Sequence, residues 1–319
     1  MDELILEVKN LKTYYFLPSG IIKAVDGLSF NIGKGKALGI IGESGSGKST
    51  IAWSILRALP YPGKIVNGEI LYEGQNILEF TEEEMRKFSW KKISLVTQFA
   101  MNALDPLMRI GDQIVEAILI NEDIPKIKAV ERAKQLFEDV RIDKSRFNDY
   151  PHTLSGGMRQ RVMIAMALAS NPGIIIADEP TTALDVIVQA QILNLLNELK
   201  SGMKSSSIIL ISHDLSVIVE LCDKIVIMYG GKLMESANTE TIINKPLHPY
   251  TKALINSFPN IEEKEVSFTS IPGNPPNMMN IPKGCLFYPR CKYKKPICNE
   301  KNPEILNLGN DHLVACHLG

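Results

Sequence analysis

Eight residues, Gly42-Glu43-Ser44-Gly45-Ser46-Gly47-Lys48-Ser49, lie between the apolar run 37–41 (ALGII) and a helical pattern over 49–58. No other stretch limits the fold as tightly. A continuously apolar run of this length reads as a strand covered on both faces. The glycines let the chain curl, so that successive backbone N–H groups converge on an anion at a helix N-terminus. Lys48 supplies a mobile charge for the β- and γ-phosphates, and Ser49 offers a hydroxyl to Mg²⁺. The bland alternative is a Gly-rich turn with a chance Lys-Ser. The four fixed positions match by accident in roughly one chain of this length per hundred, and a flanking strand and helix make accident rarer still. The stretch therefore predicts a nucleotide-phosphate loop inside an α/β fold.

The surrounding pattern agrees. Apolar runs recur at 173–177 (GIIIA), 208–211 (IILI) and 225–229 (IVIMY), with a weaker one at 93–97. Helical spacing fits 112–119, 126–140, 158–169, 186–199 and 215–221. Strand-then-helix order implies βαβ crossovers and a mainly parallel sheet. Residues 2–10, 24–32 and 69–72 read as short strands joined by Gly-containing turns, in antiparallel arrangement. A helical block fills about 100–157. The chain changes character near Ala237–Pro246: ten of its 18 prolines and four of its five cysteines lie beyond residue 240. This divides it into a domain over 1–240 and an irregular, cysteine-containing extension over 241–319.

Charge and hydropathy exclude several classes. With 35 basic and 36 acidic residues, net charge is −1, which gives no global reason to expect nucleic acid or anionic lipid as the main partner. The longest apolar stretch, Val162–Ala169, has 8 residues, far short of the roughly 20 that cross a bilayer. The start, MDELILEVKN, is acidic from its second residue, which argues against a secretory signal. The expectation is a cytosolic chain, able to sit on a membrane protein.

Further residues carry candidate chemistry. Ile174-Ile175-Ile176-Ala177-Asp178-Glu179 ends a buried strand with two carboxylates: Asp178 is placed for Mg²⁺ and Glu179 for a proton from attacking water. An acidic turn in solvent is the plain alternative. In Leu154-Ser155-Gly156-Gly157, Ser155 is an N-cap candidate, and the glycines leave helix N–H groups open to an anion; a plain capping turn explains the pattern equally well. Arg159 and Arg161 stand in the first turn, where the helix dipole disfavours cations, as if kept for an outside phosphate or acidic surface. His213 after 208–211 and Gln98 after 93–97 read equally as γ-phosphate sensors or as surface residues.

In this order the pieces resemble the nucleotide-binding subunit of an ABC transporter. Gly42–Ser49 matches the Walker A loop, Gln98 the Q-loop and Leu154–Met158 the signature. Ile174–Asp178 matches Walker B with Glu179 beside it, Ala183-Leu184-Asp185 the D-loop and His213 the switch histidine. In Leu11-Lys12-Thr13-Tyr14-Tyr15, Tyr15 aligns with the adenine-stacking residue, Tyr14 being the fallback. Asn102–Ile114, His248-Pro249-Tyr250-Thr251 and the tail cysteines look like the peptide/nickel branch. That branch serves dipeptide, oligopeptide, nickel and some oligosaccharide importers, and peptide is the leading expectation here. DNA-repair relatives insert a long coiled coil before the signature, and only about 56 residues separate Gln98 from Leu154.

The resemblance implies a P-loop NTPase with an antiparallel β-subdomain, a mainly parallel core sheet and a helical signature subdomain. It implies ATP contacts from Tyr15, Gly42, Ser44, Gly45, Gly47, Lys48, Ser49, Thr50, Gln98 and Asp178. Ser155, Gly157 and Asp185 complete a nucleotide site shared with a partner. Mg²⁺ falls to Ser49, Gln98 and Asp178, and catalysis to Glu179, His213, Gln98 and Lys48. The implied partners are a second, non-identical ATPase subunit, two transmembrane permease subunits and an extracytoplasmic binding protein, with this chain peripheral on the cytoplasmic face of the membrane.

Cys285, Cys291, Cys298 and Cys316 have gaps of 5, 6 and 17 residues. In a cytosolic chain, clustered thiols suggest a metal rather than disulfides. Short Cys-x2-4-Cys pairs typical of zinc are absent, as is ferredoxin spacing, so spacing leaves Zn²⁺ and iron–sulfur both open; His312 or His317 could replace a cysteine around zinc, and four unliganded thiols are the plain alternative. A matching cysteine set in related peptide-importer subunits looks like the ligands of a 4Fe-4S cluster, and the resemblance tips the expectation that way. The tail's expected role is structural, holding residues 285–316 as a compact module near the subunit interface; substituting Cys298 is expected to lose the metal and loosen the tail first, with nucleotide binding by the first 240 residues much less affected.

Overall fold

The computed structural model describes residues 3–97, 103–182, 184–202, 206–257 and 271–318. Its strands begin with β1 (Leu4–Leu17), β2 (Gly20–Gly33), β3 (Ala37–Ile41), β4 (Gly63–Tyr72), β5 (Gln75–Asn76) and β6 (Ile93–Val96). They continue with β7 (Ile174–Asp178), β8 (Ser207–Ser212), β9 (Lys224–Tyr229), β10 (Lys232–Asn238), β11 (Leu306–Asn307) and β12 (Leu313–Val314). The helices are α1 (Lys48–Ile55), α2 (Glu82–Phe88), α3 (Ile110–Asn121), α4 (Lys126–Asp139) and α5 (Gly156–Leu168). After them come α6 (Val186–Ser201), α7 (Leu215–Leu221), α8 (Thr239–Asn244), α9 (Pro249–Asn256) and α10 (Ile297–Glu300). Contacts group the chain into two compact units. One holds Met1–Ile5, Gly33–Lys36 and Glu79–Leu210; the other holds Leu6–Ile32, Ala37–Leu78 and Ile211–Gly319.

The second unit carries the phosphate loop. Its antiparallel layer runs in the order β2-β1-β4-β5, with Leu6 opposite Tyr72 and Tyr15 opposite Gly63. The pairing slips near Lys9 and Lys12, where Asn10 takes a positive φ of 47°. That irregularity hides the continuity of β1 from an alternation count, so the strand outruns the 2–10 reading; backbone pairing likewise carries β4 back to Gly63. Beside this layer, β3 pairs in parallel with β9, Leu38 opposite Lys224. All five residues of β3 are buried, as a strand covered on both faces requires. Antiparallel β10 follows β9, and β12 joins β10 through Glu235–Val314 and Ser236–Leu313. The chain beyond residue 240 therefore shares a sheet with β9 and β10, and the compact units do not part there.

The first unit is the α/β and helical part. Strands β6 and β7 pair in parallel, Ile93 opposite Ile174, and β8 lies next to β7. Helices α3, α4 and α5 pack together. Between them Phe137 and Phe147 lie 5.7 Å apart, and Arg132 clamps Glu122 at 2.6 and 2.7 Å. Helix α2 escapes a periodicity search because Met85 is its one buried residue. Its signal is the capping box Thr81-x-x-Glu84, in which each side chain satisfies the other's backbone N–H. Helix α9 hides in Pro-rich sequence, although Pro249 in its first turn and the His248 cap favour a helix start.

A buried polar group fastens the tail. Glu235 is fully buried. It accepts the Leu247 and His248 N–H groups at 2.9 and 3.0 Å and pairs with His312 Nε2 at 2.8 Å. His248 itself is 1% exposed, and its Nδ1 accepts the Tyr250 N–H at 3.0 Å. Burial pushes its pKa down to about 4, against the opposing pull of Glu235 and the Ala315 carbonyl. The ring is therefore neutral when folded, while the unfolded chain binds a proton near pH 6.5. Stability from this group is complete above pH 6.5 and is lost as pH falls from 6.5 toward 4, amounting to about 3 kcal/mol at the end of that window. Urea unfolding at pH 7, 5.5 and 4.5 should show the loss, and His248→Asn, which keeps a capping acceptor, should flatten it. An unchanged pH slope in the variant would contradict this account.

Candidate nucleotide-binding site

The loop after β3 has the geometry its glycines predict. Gly45 and Gly47 take positive φ, 76° and 95°, and Gly47 is the left-handed N-cap of α1. A Cβ on Gly47 would stand 1.9 Å from the Ala24 carbonyl oxygen, so no side chain fits. Lys48 is buried. Its ammonium donates to the Gly42 and Glu43 carbonyls at 2.7 and 3.0 Å, which holds the charge over the curl. Ser49 and Thr50 open the helix. Converging amides, a helix N-terminus and a lysine together fit a polyphosphate.

Residues far along the chain brace this loop, and sequence reasoning gave them no role there. The Glu43 N–H donates to the Tyr250 hydroxyl at 3.1 Å, and Arg290 pairs with the Glu43 carboxylate at 2.8 Å. Beneath them the rings of Tyr229 and Tyr250 are 4.8 Å apart, with Phe287 at 5.5 and 5.3 Å. Burial raises both tyrosine pKa values, so the hydroxyls stay protonated. Tyr250 stands out in the sequence only within His248-Pro249-Tyr250-Thr251, and Arg290 carries no local signal.

The other candidates fall as follows. Asp178 closes β7 and is buried. Glu179 follows with a positive φ of 47°, a conformation uncommon for a non-glycine residue. Thr182 Oγ1 donates to its carboxylate at 3.0 Å. Ser155 caps α5, accepting the Met158 N–H at 3.3 Å, and stays exposed. Gly157 has a packing reason of its own, since a Cβ there would lie 2.4 Å from Val188 Cγ1. Asp185 caps α6 through the Val188 N–H at 2.9 Å. His213 is exposed after β8. Tyr14 is committed to Asp26 at 2.7 Å, while the Tyr15 ring lies against Gly63. Gln98 and Ala183 lie outside the described residues.

One expectation is corrected. Arg161 is not kept for an outside partner: its guanidinium donates to the Val140 and Arg141 carbonyls at 3.2 and 3.4 Å and to Gln191 at 2.7 Å. It neutralises the carbonyl end of α4, where a cation is favoured.

The four tail cysteines are neighbours. Burial pushes the Cys285 thiol up to about 11, Cys298, Cys316 and Cys291 add to the shift, and the Phe287 N–H opposes it. Burial also raises Cys291, against the Tyr293 N–H. Cys316 Sγ accepts the Leu318 N–H at 3.5 Å. Three of the four sulfurs thus receive an N–H from the residue two positions on. As they stand, no three His, Cys, Asp or Glu side chains among the described residues form a group able to hold a metal ion.

Gly47 and Gly45 separate close approach from mere backbone strain. Gly45 has open space where its Cβ would go, so Gly45→Ala should weaken nucleotide binding by about tenfold, the cost of a strained φ. Gly47→Ala adds a collision and should cost more than about a hundredfold. Titration with a fluorescent ATP analogue measures both; equal effects would rule out the contact with Ala24 as the constraint.

Known proteins bear the same features. A family model described as ABC transporter matches residues 25–182, and one described as the C-terminal region of oligopeptide/dipeptide transporters matches 234–298. The oligopeptide transport ATP-binding protein of Escherichia coli K12 is 43% identical over 303 residues, covering 94% of this chain and 89% of that protein. The dipeptide transport ATP-binding protein of Caldanaerobacter subterraneus subsp. tengcongensis is 42% identical over 319 residues, covering 99% and 97%. Among solved structures, a dimeric ATP-binding cassette in a post-hydrolysis state with ADP and Pi superposes with a TM-score of 0.66 at 29% identity, over 73% of this chain and 98% of that one. The fold is that of a P-loop ATPase with an antiparallel β-subdomain and helical parts. From the Walker A geometry and these matches over most of both chains it follows that the chain is an ATP-hydrolysing member of the ABC transporter family, in the group of oligopeptide and dipeptide transport ATP-binding proteins.

Proposed function

We propose that this chain powers the import of di- or oligopeptides as one ATPase subunit of a membrane transporter. The observation that carries the reading is that similarity to peptide-transport ATPases runs through nearly all of the chain, tail included. Residues 1–240 serve as the nucleotide-binding domain, with the helical part over about 100–157, and 241–319 as the extension of this group.

The residue roles follow from chemistry already described. Lys48 and the loop amides bind phosphate, and Tyr15 rather than the committed Tyr14 stacks on adenine. When present, Mg²⁺ supplies charge neutralisation of the phosphates; Ser49, Asp178 and Gln98 are the oxygen donors that suit it. Glu179, set on its strained turn, accepts a proton from water, and His213 senses the γ-phosphate. Ser155, exposed at the start of α5, and Gly157 serve a nucleotide bound by the partner subunit, with Asp185 beside them in role.

Assembly has its own support. Val186 and Ile187, directly after Asp185, are 82% and 72% exposed, an apolar pair suited to a second ATPase subunit, which we place as non-identical. Two permease subunits and an extracytoplasmic binding protein complete the complex. No helix among the described residues is long and apolar enough to cross a membrane, and the proposed place is peripheral, on the cytoplasmic face.

For the tail we propose a 4Fe-4S cluster held by Cys285, Cys291, Cys298 and Cys316. The paired N–H donors on Cys285, Cys291 and Cys316 support it, because such hydrogen bonds stabilise thiolate sulfurs and tune cluster potentials. Its role is structural. Anaerobic purification followed by iron and zinc analysis tests the assignment: about four irons and a brown chromophore per chain are expected, whereas one zinc in a colourless protein would assign zinc instead.

Reconstitution with permeases and binding protein tests the function. Peptides should stimulate ATP hydrolysis, whereas oligosaccharides and Ni²⁺ should not; the opposite order would reassign the substrate. Glu179→Gln should retain ATP affinity and lower turnover by at least about a hundredfold. Turnover above half of the normal rate would remove Glu179 from its role.

A further inference from the structure

Arg290 stands on a short 3-10 turn, Tyr288–Arg290, directly before Cys291. Its side chain is only 6% exposed, and each of its nitrogens is used. Nη1 donates to Glu43 Oε2 at 2.8 Å and to the Tyr229 hydroxyl at 3.0 Å. Nη2 donates to the Ile271 carbonyl at 3.1 Å, and Nε to the Pro272 carbonyl at 2.8 Å. An exposed ion pair would contribute little. Here the guanidinium is shielded while the Glu43 side chain is 22% exposed, so removing Arg290 leaves a half-buried carboxylate without its counter-charge.

What it holds is the second residue of the Walker A loop. Glu43 is fixed at three points: its carboxylate by Arg290, its N–H by Tyr250 and its carbonyl by Lys48. Two of these three holds come from beyond residue 240. The third partner, Lys48, is the loop's own phosphate-directed cation, so a shift of Glu43 moves the carbonyl that aims it. Charge adds a second effect. A triphosphate brings several negative charges to this loop, and a carboxylate within it repels them unless it is neutralised.

We propose that Arg290 is a positioning residue for ATP binding, neutralising Glu43 and fixing the Walker A loop from the cysteine-containing tail. The inference rests on the reading of Gly42–Ser49 as the ATP-binding loop. It makes nucleotide affinity depend on the order of residues 271–291, which the sequence pattern treats as a separate module.

The test is titration of the purified full chain with a fluorescent ATP analogue. Lys48→Ala should abolish most binding. Arg290→Met should weaken binding about tenfold, the scale of a lost charge-assisted hydrogen bond. Adding Glu43→Gln to Arg290→Met removes the uncompensated carboxylate and should bring affinity back to within about threefold of wild type. A purely structural arginine would give a loss that Glu43→Gln does not relieve, and that result would overturn the proposal, as would unchanged affinity in Arg290→Met. If Arg290→Met does not fold, Arg290→Gln is the second variant: it keeps a hydrogen-bonding side chain but loses the charge that neutralises Glu43, and binding equal to wild type would again refute the role. Wild-type affinity in Lys48→Ala would instead remove the loop reading on which the proposal stands.

Discussion

Backbone amides gather on a phosphate only where the chain turns sharply with no side chain in the way. Here that condition is met at the Ala24 carbonyl, against which Gly47 packs too closely for any Cβ. The surrounding unit is organised to keep this turn in place. Strand β3 delivers the loop between the buried parallel partner β9 and helix α7, whose Ile218 fills the space above Gly39. Tyr229, at the end of β9, carries the aromatic cluster under Glu43. A loop of small residues has little packing energy of its own, and its shape is imposed by neighbours that are rigid for other reasons.

The parts legible in the sequence are those whose signal is local. The Walker A loop, the buried strands β3, β7, β8 and β9, and the acidic pair Asp178-Glu179 each announce themselves within a few residues. Helix α2 was equally local but spoke through capping rather than periodicity. What the sequence did not disclose was long-range. Arg290 and Glu43 are 247 positions apart, and nothing in the composition of either segment marks them as partners. Strand β12, two residues long, carries no pattern at all; beside its pairing with β10, His312 contacts the buried Glu235. A Pro-rich, cysteine-rich stretch looks separable because it lacks periodicity, yet contacts rather than periodicity determine where a folding unit stops.

Several motif residues also serve ordinary structural ends. Asp185 and Ser155 are helix caps, and Gly157 allows α5 to approach Val188. A cap fixes the orientation of its own helix start, which is the end the proposal assigns to a nucleotide bound by a partner subunit. Arg161 shows the other outcome, a cation that the motif context makes suggestive and that the fold uses internally. Glu179 differs from both. Its left-handed backbone is costly for a residue with a side chain, and Thr182 holds the turn by donating its N–H and hydroxyl to the Glu179 carbonyl and carboxylate.

The pairing of β12 with β10 has a consequence for how the chain survives its own synthesis. Strand β10 presents mostly buried residues, and its outer edge is covered by a strand of two residues followed by another of two. Such short strands end the sheet instead of extending it, since they leave little unpaired backbone to template a foreign strand. The covering segment, however, comes more than seventy residues after β10 in the chain. During translation, therefore, the edge of β10, with the carboxylate of Glu235 on it, stands unpaired until the tail emerges, an interval in which exposed strand edges are open to strand addition.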